Sequence, residues 1–196
     1  MLEYKIIIGS IAGALALFSH LPYFIDVFRG RTKPHLFTWF IWTLILSIGV
    51  AVQVVEGAGP GAWATIGDGI ACLIVVLLCF SYGEKVITRS DWVSLAFGVL
   101  GVVLWALTSE PLWAAVLVTL ADAFGFFPTF RKAYMKPHEE TPSTFLMVFA
   151  SYVLALTVFD SYSLTTILYP VYLMLANGSF WLYILVRRHQ LKKTYA

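Results

Sequence analysis

The chain has 196 residues, of which 60% are hydrophobic and only 12% charged, with a mean hydropathy of +0.82. A soluble domain of this size could not cover so much apolar surface, so lipid is the expected solvent for most of it. A net charge of +2 and the lack of any basic-aromatic stripe exclude a nucleic-acid partner.

A helix crossing the ~30 Å hydrocarbon core needs about 20 residues, and seven apolar runs approach that length. No basic region precedes the first, so no cleaved signal is expected. That run, 6–28, holds His20 and Pro22, and the proline weakens the helix about two turns before the basic loop 29–35. The second, 36–56, carries Trp39 and Trp42, three apart and therefore on one face. Next to a cavity such rings suit a sugar's apolar face or a planar base; the alternative is an aromatic belt at the inner membrane surface. The third, 62–82, contains Gly67-Asp68-Gly69 and two cysteines, Cys72 and Cys79. Seven apart on one helix, these are too distant to bridge and read as packing residues.

The fourth run, 91–108, has Gly98 and Gly101 as close-packing positions. Asp122 lies near the middle of the fifth, 112–130, with Pro128 near its end. Ser151 and Tyr152 fall in the sixth, 143–159, and with Ser47 and Gln53 of the second are candidate pore-lining groups. The seventh, 164–186, carries Ala176-Asn177-Gly178 and runs into a basic tail.

Two stretches resemble each other at an offset of about 106 residues: PYFIDVFRGRTKPHLFTWFIW from Pro22 and PTFRKAYMKPHEETPSTFLMV from Pro128. The offset pairs Phe24 with Phe130, Thr38 with Thr144 and Trp39 with Phe145. Runs one to three then correspond to runs five to seven, with the fourth as an inverting linker. Placing the N-terminus outside puts twelve of the 13 Lys+Arg in inner loops and the tail, leaving Lys5 outside. The expected fold class is therefore an all-α integral membrane protein of seven transmembrane helices. Two parallel three-helix bundles (1–82 and 112–196) flank a linker helix at 91–108, with the C-terminus cytoplasmic. Parallel repeats place a shared site between them near midplane.

A Pro-x-Phe group, a short basic loop and a Ser/Thr-aromatic helix opening resemble the SWEET and PQ-loop transporter superfamily, most closely in PTFRKAYMKPHEETPSTF. Tyr23 and Thr129 stand where that family has glutamine, and runs two and six lack the mid-helix prolines of SWEETs, which leaves the solute class open. The resemblance implies alternating access in the cell (inner) membrane. It also implies a polar pair on the third and seventh spans, here Asp68 and Asn177, facing each other across a central cavity. Trp-x-x-Trp is similar to the nicotinamide riboside transporters of the PnuC type.

Polar side chains inside a span cost roughly 2.5–3.5 kcal/mol on insertion scales and are functional candidates by default. For Asp68 and Asn177 the choice is between binding a solute and gluing helices. An aspartic acid in apolar surroundings is driven toward its protonated form, so Asp122 is the proton-coupling candidate, with a structural carboxyl as the alternative. Some PQ-loop transporters are similar in using a membrane aspartate this way. Matched prolines, Pro22 and Pro128, read as hinges of the two inner segments. Among the histidines only His20 lies within a span, where it reads as a hydrogen-bonded structural imidazole. No metal-ligand spacing, phosphate loop or nucleophile motif is present, so no cofactor, metal or catalytic residue is expected. An enzyme would need paired groups such as Asp68 and Asp122. The expected activity is transport of a small neutral or polar solute, sugar-like or vitamin- or nucleoside-like. The runner-up is a seven-helix receptor or sensor, and a retinal version is excluded because the last span has no lysine before Arg187. The expected partners are that solute and the lipid bilayer, with a homo-oligomer left open.

Overall fold

The computed structural model describes residues 2–31, 34, 36–83, 89, 92–93, 96, 99–100, 103–104, 107, 110–135 and 137–194. The described part is built of helices: α1 (Leu2–Phe18), α2 (Leu21–Phe28), α3 (Leu36–Val55), α4 (Trp63–Tyr82), α5 (Pro111–Met135), α6 (Pro142–Leu156) and α7 (Leu164–Thr194). Short 3-10 turns at Gly59–Ala62 and Pro137–Glu139 lead into α4 and α6. Five of the seven expected runs thus coincide with single helices, the last of which runs eight residues past its expected end, and the first, 6–28, is split into α1 and α2. The linker expected at 91–108 falls mostly outside the described residues. By length and composition, three stretches can cross a membrane: Glu3–Phe28, Gly59–Tyr82 and Leu164–Leu191. Trp39–Val55, Pro111–Ala123 and Pro142–Leu156 are apolar but shorter.

Local chemistry sets the helix ends. Pro22 lacks an N–H, and its ring would strike the Phe18 carbonyl if the helix ran on. So α1 stops at Phe18, Ser19 and His20 form a turn, and α2 restarts with Pro22 in its first turn, where proline is tolerated. Glycine at positive φ ends α2 and α3 (Gly30, φ 67°; Gly57, φ 72°). There Arg31 N–H donates to the Asp26 carbonyl and Ala58 N–H to that of Gln53, closing carbonyls the helices leave open. No such break occurs at the second proline, because α5 runs as one helix through position 128. The two prolines, expected to act as equal weak points, therefore sit in unlike backbones. Neighbouring helices can compensate a proline within an apolar helix.

The helices pack in a closed order. α1 lies on α4, α4 on α3, α3 on α5, α5 on α7, α7 on α6, and α6 returns to α1. Glycines bring α1 and α4 together: a side chain at Gly67 would meet the Gly13 backbone, and one at Gly9 would meet Pro60. Outward faces are apolar, with Ile7, Ile11 and Phe18 on α1 and Leu73, Leu77 and Phe80 on α4 exposed. The interior holds Gln53, Thr65, Asp68, Asp122, Ser151 and Asn177. This apolar-out, polar-in distribution is what lipid solvent favours, since water would penalise so large an exposed apolar surface.

Polar groups tie the two ends. Lys5 Nζ pairs with Asp160 Oδ1 at 2.7 Å and donates to the Phe159 carbonyl, joining the start of α1 to the α6–α7 connection. Asp160 N–H in turn donates to the Ala58 carbonyl beside the α3–α4 connection. At the other end Arg187 Nε donates to the Tyr134 carbonyl near the end of α5, while Arg188 reaches the carbonyls of Pro137 and Glu140. These guanidinium groups satisfy carbonyls that a terminating helix leaves without partners.

Candidate functional site

Asp68 sits in the second turn of α4, on its inward face, and is 6% exposed. Its Oδ2 accepts a hydrogen bond of 3.1 Å from the Tyr152 hydroxyl of α6, a contact between the two halves of the chain. Its other oxygen, Oδ1, lies 3.7 Å from His20 Nε2 at the α1–α2 break. One turn further along α4, Cys72 joins them: single ligand-type atoms of His20, Asp68 and Cys72 lie within 4.8 Å of one another. Behind Tyr152, Thr65 exchanges hydrogen bonds with Gln53 at 3.0 and 3.2 Å.

The two tryptophans point inward. Trp39 is buried, packs edge-on against His20 at 5.8 Å between ring centroids, and donates from Nε1 to the Tyr23 hydroxyl. Trp42 is half-buried, perpendicular to Trp39 at 5.2 Å, and reaches Phe126 of α5 at 6.2 Å. Both rings therefore lie next to the polar centre rather than forming an outward belt.

Asp122 is buried on α5 at 4% exposure, and its Oδ2 has no hydrogen-bond partner among the described residues. The Tyr172 hydroxyl of α7 lies close enough to interact with this carboxyl, though its geometry falls short of a hydrogen bond. Tyr169, one turn earlier and stacked on Tyr172 at 6.3 Å, is within electrostatic range of Asp122, Asp68 and Tyr152. Its hydroxyl likewise has no hydrogen-bond partner among the described residues. Asp68 and Asp122 are within electrostatic range of each other, so the two carboxyls and three tyrosines form one buried polar patch across α4, α5, α6 and α7.

Asn177 is buried on α7, and its Nδ2 donates to the Leu173 carbonyl of its own helix at 2.8 Å. The glycines flanking the candidate pair serve packing: Gly67 admits the α1 backbone and Gly178 admits the Phe149 ring of α6. Ser151 and Ser47 bond to carbonyls of their own helices, so neither side chain is poised toward a ligand.

Of the residues singled out in the sequence, the structure groups Asp68, Asp122 and Tyr152, whereas Asp68 and Asn177, expected as a facing pair, bond Tyr152 and Leu173 rather than each other; Tyr169 and Tyr172, whose i, i+3 spacing on the last run was a usable signal, were missed. Also missed was the meeting of His20 with Asp68 and Cys72. Asp68-x-x-x-Cys72 places two ligand-type side chains on one helix face, but nothing local indicates that a histidine 48 residues earlier closes on it. No protein-family model, curated protein or solved structure matches the chain.

Proposed function

We propose that this chain is a multi-pass protein of the cell (inner) membrane that moves a small neutral or polar solute by alternating access. In this reading seven spans form two parallel three-helix bundles joined by a linker helix, with the N-terminus outside. The helix order supports it: α1–α4–α3 in the first half corresponds to α5–α7–α6 in the second, each with its third span in the middle. Equivalent side chains support it too. At the 106-residue offset His20 and Phe24 match Phe126 and Phe130, and each pair has ring centroids 6.2 Å apart. The α1 start and the α3–α4 and α6–α7 connections meet at one end, while the basic end of α7 meets the α5–α6 connection at the other. Alternating spans require this grouping.

One observation carries the functional reading: a buried polar patch in which, among the described residues, the Tyr169 hydroxyl has no hydrogen-bond partner and Asp122 Oδ2 meets the Tyr172 hydroxyl without hydrogen-bond geometry. Each unmet buried group costs about 1–3 kcal/mol, a cost that a hydrogen-bonding solute or a proton offsets. Asp68, Asn177 and the inward Trp39 and Trp42 supply the remaining polar and planar contacts. Among the described residues no lysine or arginine is buried, which favours an uncharged solute. Pro22, at the α1–α2 break, acts as the hinge of the gate in this scheme, while Pro128 lies within the unbroken α5; the Asp122 carboxyl is the group that would carry a coupled proton.

The test is a thermal-shift screen of purified protein against sugars, nucleosides, vitamins and amino acids, followed by counterflow of any hit in proteoliposomes. A stabilising solute should lose its effect in Asn177→Ala and should exchange across the vesicle membrane. Undiminished stabilisation in the variant overturns the site assignment, and a bound solute that never crosses overturns transport.

A further inference from the structure

We propose that His20, Asp68 and Cys72 form a binding site for one divalent transition-metal ion of the zinc and cobalt type, located where α1 breaks against α4. This inference does not rest on the transport reading.

The imidazole is held in a defined state. Ser19 Oγ donates its proton to the Ala16 carbonyl at 2.6 Å and lies 2.9 Å from His20 Nδ1. With its only proton committed, Ser19 Oγ can only accept, so Nδ1 carries the ring hydrogen and Nε2 presents a lone pair. That lone pair faces Asp68 Oδ1 across 3.7 Å, too long for a hydrogen bond. Two ligand atoms sharing a tetrahedral metal at about 2.1 Å each stand roughly 3.4 Å apart, so this gap fits an ion between them after a shift of a few tenths of an ångström. Cys72 follows Asp68 by one helical turn and brings its sulfur within 4.8 Å of both atoms, so closing on a shared ion takes a further shift of about an ångström, within reach of a side-chain rotation.

The surrounding shell is of the kind that orients metal ligands. Ser19 fixes the histidine through its non-ligating nitrogen, and Tyr152 holds Asp68 through Oδ2, leaving Oδ1 directed at the cluster. The ligand set selects the ion, because imidazole, thiolate and carboxylate together suit zinc or cobalt and not magnesium or calcium. Charge balance favours burial: a divalent ion with one carboxylate, one thiolate and a neutral imidazole has no net charge, which limits the cost of an apolar setting. Binding forms three metal–ligand bonds and releases the Cys72 thiol proton to solvent. Three protein ligands leave a fourth position for water or another donor.

The experiment uses the full chain, purified in detergent, stripped with a chelator and titrated with Co2+. One Co2+ per chain is expected, with a near-ultraviolet thiolate-to-cobalt absorption band that Zn2+ abolishes on displacement. Cys72→Ser should lose the band, while Cys79→Ser should keep it. Ser19→Ala should weaken binding by about 10–100-fold, the usual effect of removing a group that orients a ligand. Binding far below one ion per chain, or a band that survives Cys72→Ser, overturns the proposal. Maleimide labelling during detergent unfolding in a Cys79→Ser background provides a readout that does not depend on Cys72 variants folding: Cys72 is buried and reacts only as the chain opens, so Zn2+ should slow its labelling, and equal rates with and without Zn2+ refute the site. Solute uptake is not a readout here, so failure of the metal site and failure of transport remain distinguishable.

Discussion

Tyr152→Phe tests the link between the two halves. The ring stays and its volume is kept, so the change removes one oxygen and opens no large cavity. What is lost is the 3.1 Å hydrogen bond to Asp68 Oδ2, between a fully buried tyrosine and a carboxyl only 6% exposed. Interhelical hydrogen bonds in membrane proteins average about 0.6 kcal/mol and reach about 1.7. A buried acceptor left without its donor adds to that, within the usual range of about 1–3 kcal/mol. We expect a loss of about 1–2 kcal/mol, a factor of roughly 5–30 in the unfolding constant. The assay is unfolding in mixed micelles by titration with a denaturing detergent, followed by tryptophan fluorescence with chelator present throughout. Combining Tyr152→Phe with Asp68→Asn isolates the pair, and a coupling of about 0.5 kcal/mol or more is expected. A single variant as stable as the parent, together with no coupling in the cycle, would refute the α4–α6 link and the polar patch built on it.

Gly67→Ala should destabilise by about 1–3 kcal/mol, because its Cβ would lie 3.0 Å from the Gly13 carbonyl carbon and neither helix backbone can rotate aside. Gly69→Ala, whose nearest neighbour is Leu46 Cβ at 3.6 Å, should instead be neutral or stabilising by up to about 1 kcal/mol. The same detergent titration reads both, and equal effects at the two positions would refute the close α1–α4 approach. Asp122→Asn should abolish any dependence of uptake on an imposed proton gradient while leaving the fold intact. Unchanged gradient dependence in proteoliposomes rejects the coupling role.

Much of the scaffold was legible because apolar length is a strong signal. The run read as 36–56 is a helix over Leu36–Val55, and 62–82 is one over Trp63–Tyr82. Pro22 marked the break at Ser19–His20, whereas Pro128 left α5 whole, so a missing N–H alone did not decide where a helix breaks. The order of helices around the ring was not legible, because it depends on which faces meet rather than on periodicity. Trp39 and Trp42 illustrate the limit. Their nearness to a basic loop fits a membrane-surface belt equally well, and only the packing against His20 and Phe126 turns them inward. The glycines around Asp68 admit close approach of a helix or a ligand, and only the packing shows that at Gly67 it is the α1 backbone that approaches. His20 shows the converse: an unremarkable residue in the sequence becomes part of a three-residue cluster through a contact no local pattern encodes.

The break between α1 and α2 also bears on how the two halves can differ as mechanical parts. The first half reaches its basic end through a jointed rod, whose last eight residues form a separate helix. The second half reaches its own through the 25-residue α5 without interruption. A jointed rod and a strut of similar length do not share strain equally: displacement collects at the joint, and the strut follows as a rigid lever. Because His20 lies in that joint beside Asp68, any group that binds both would stiffen the joint.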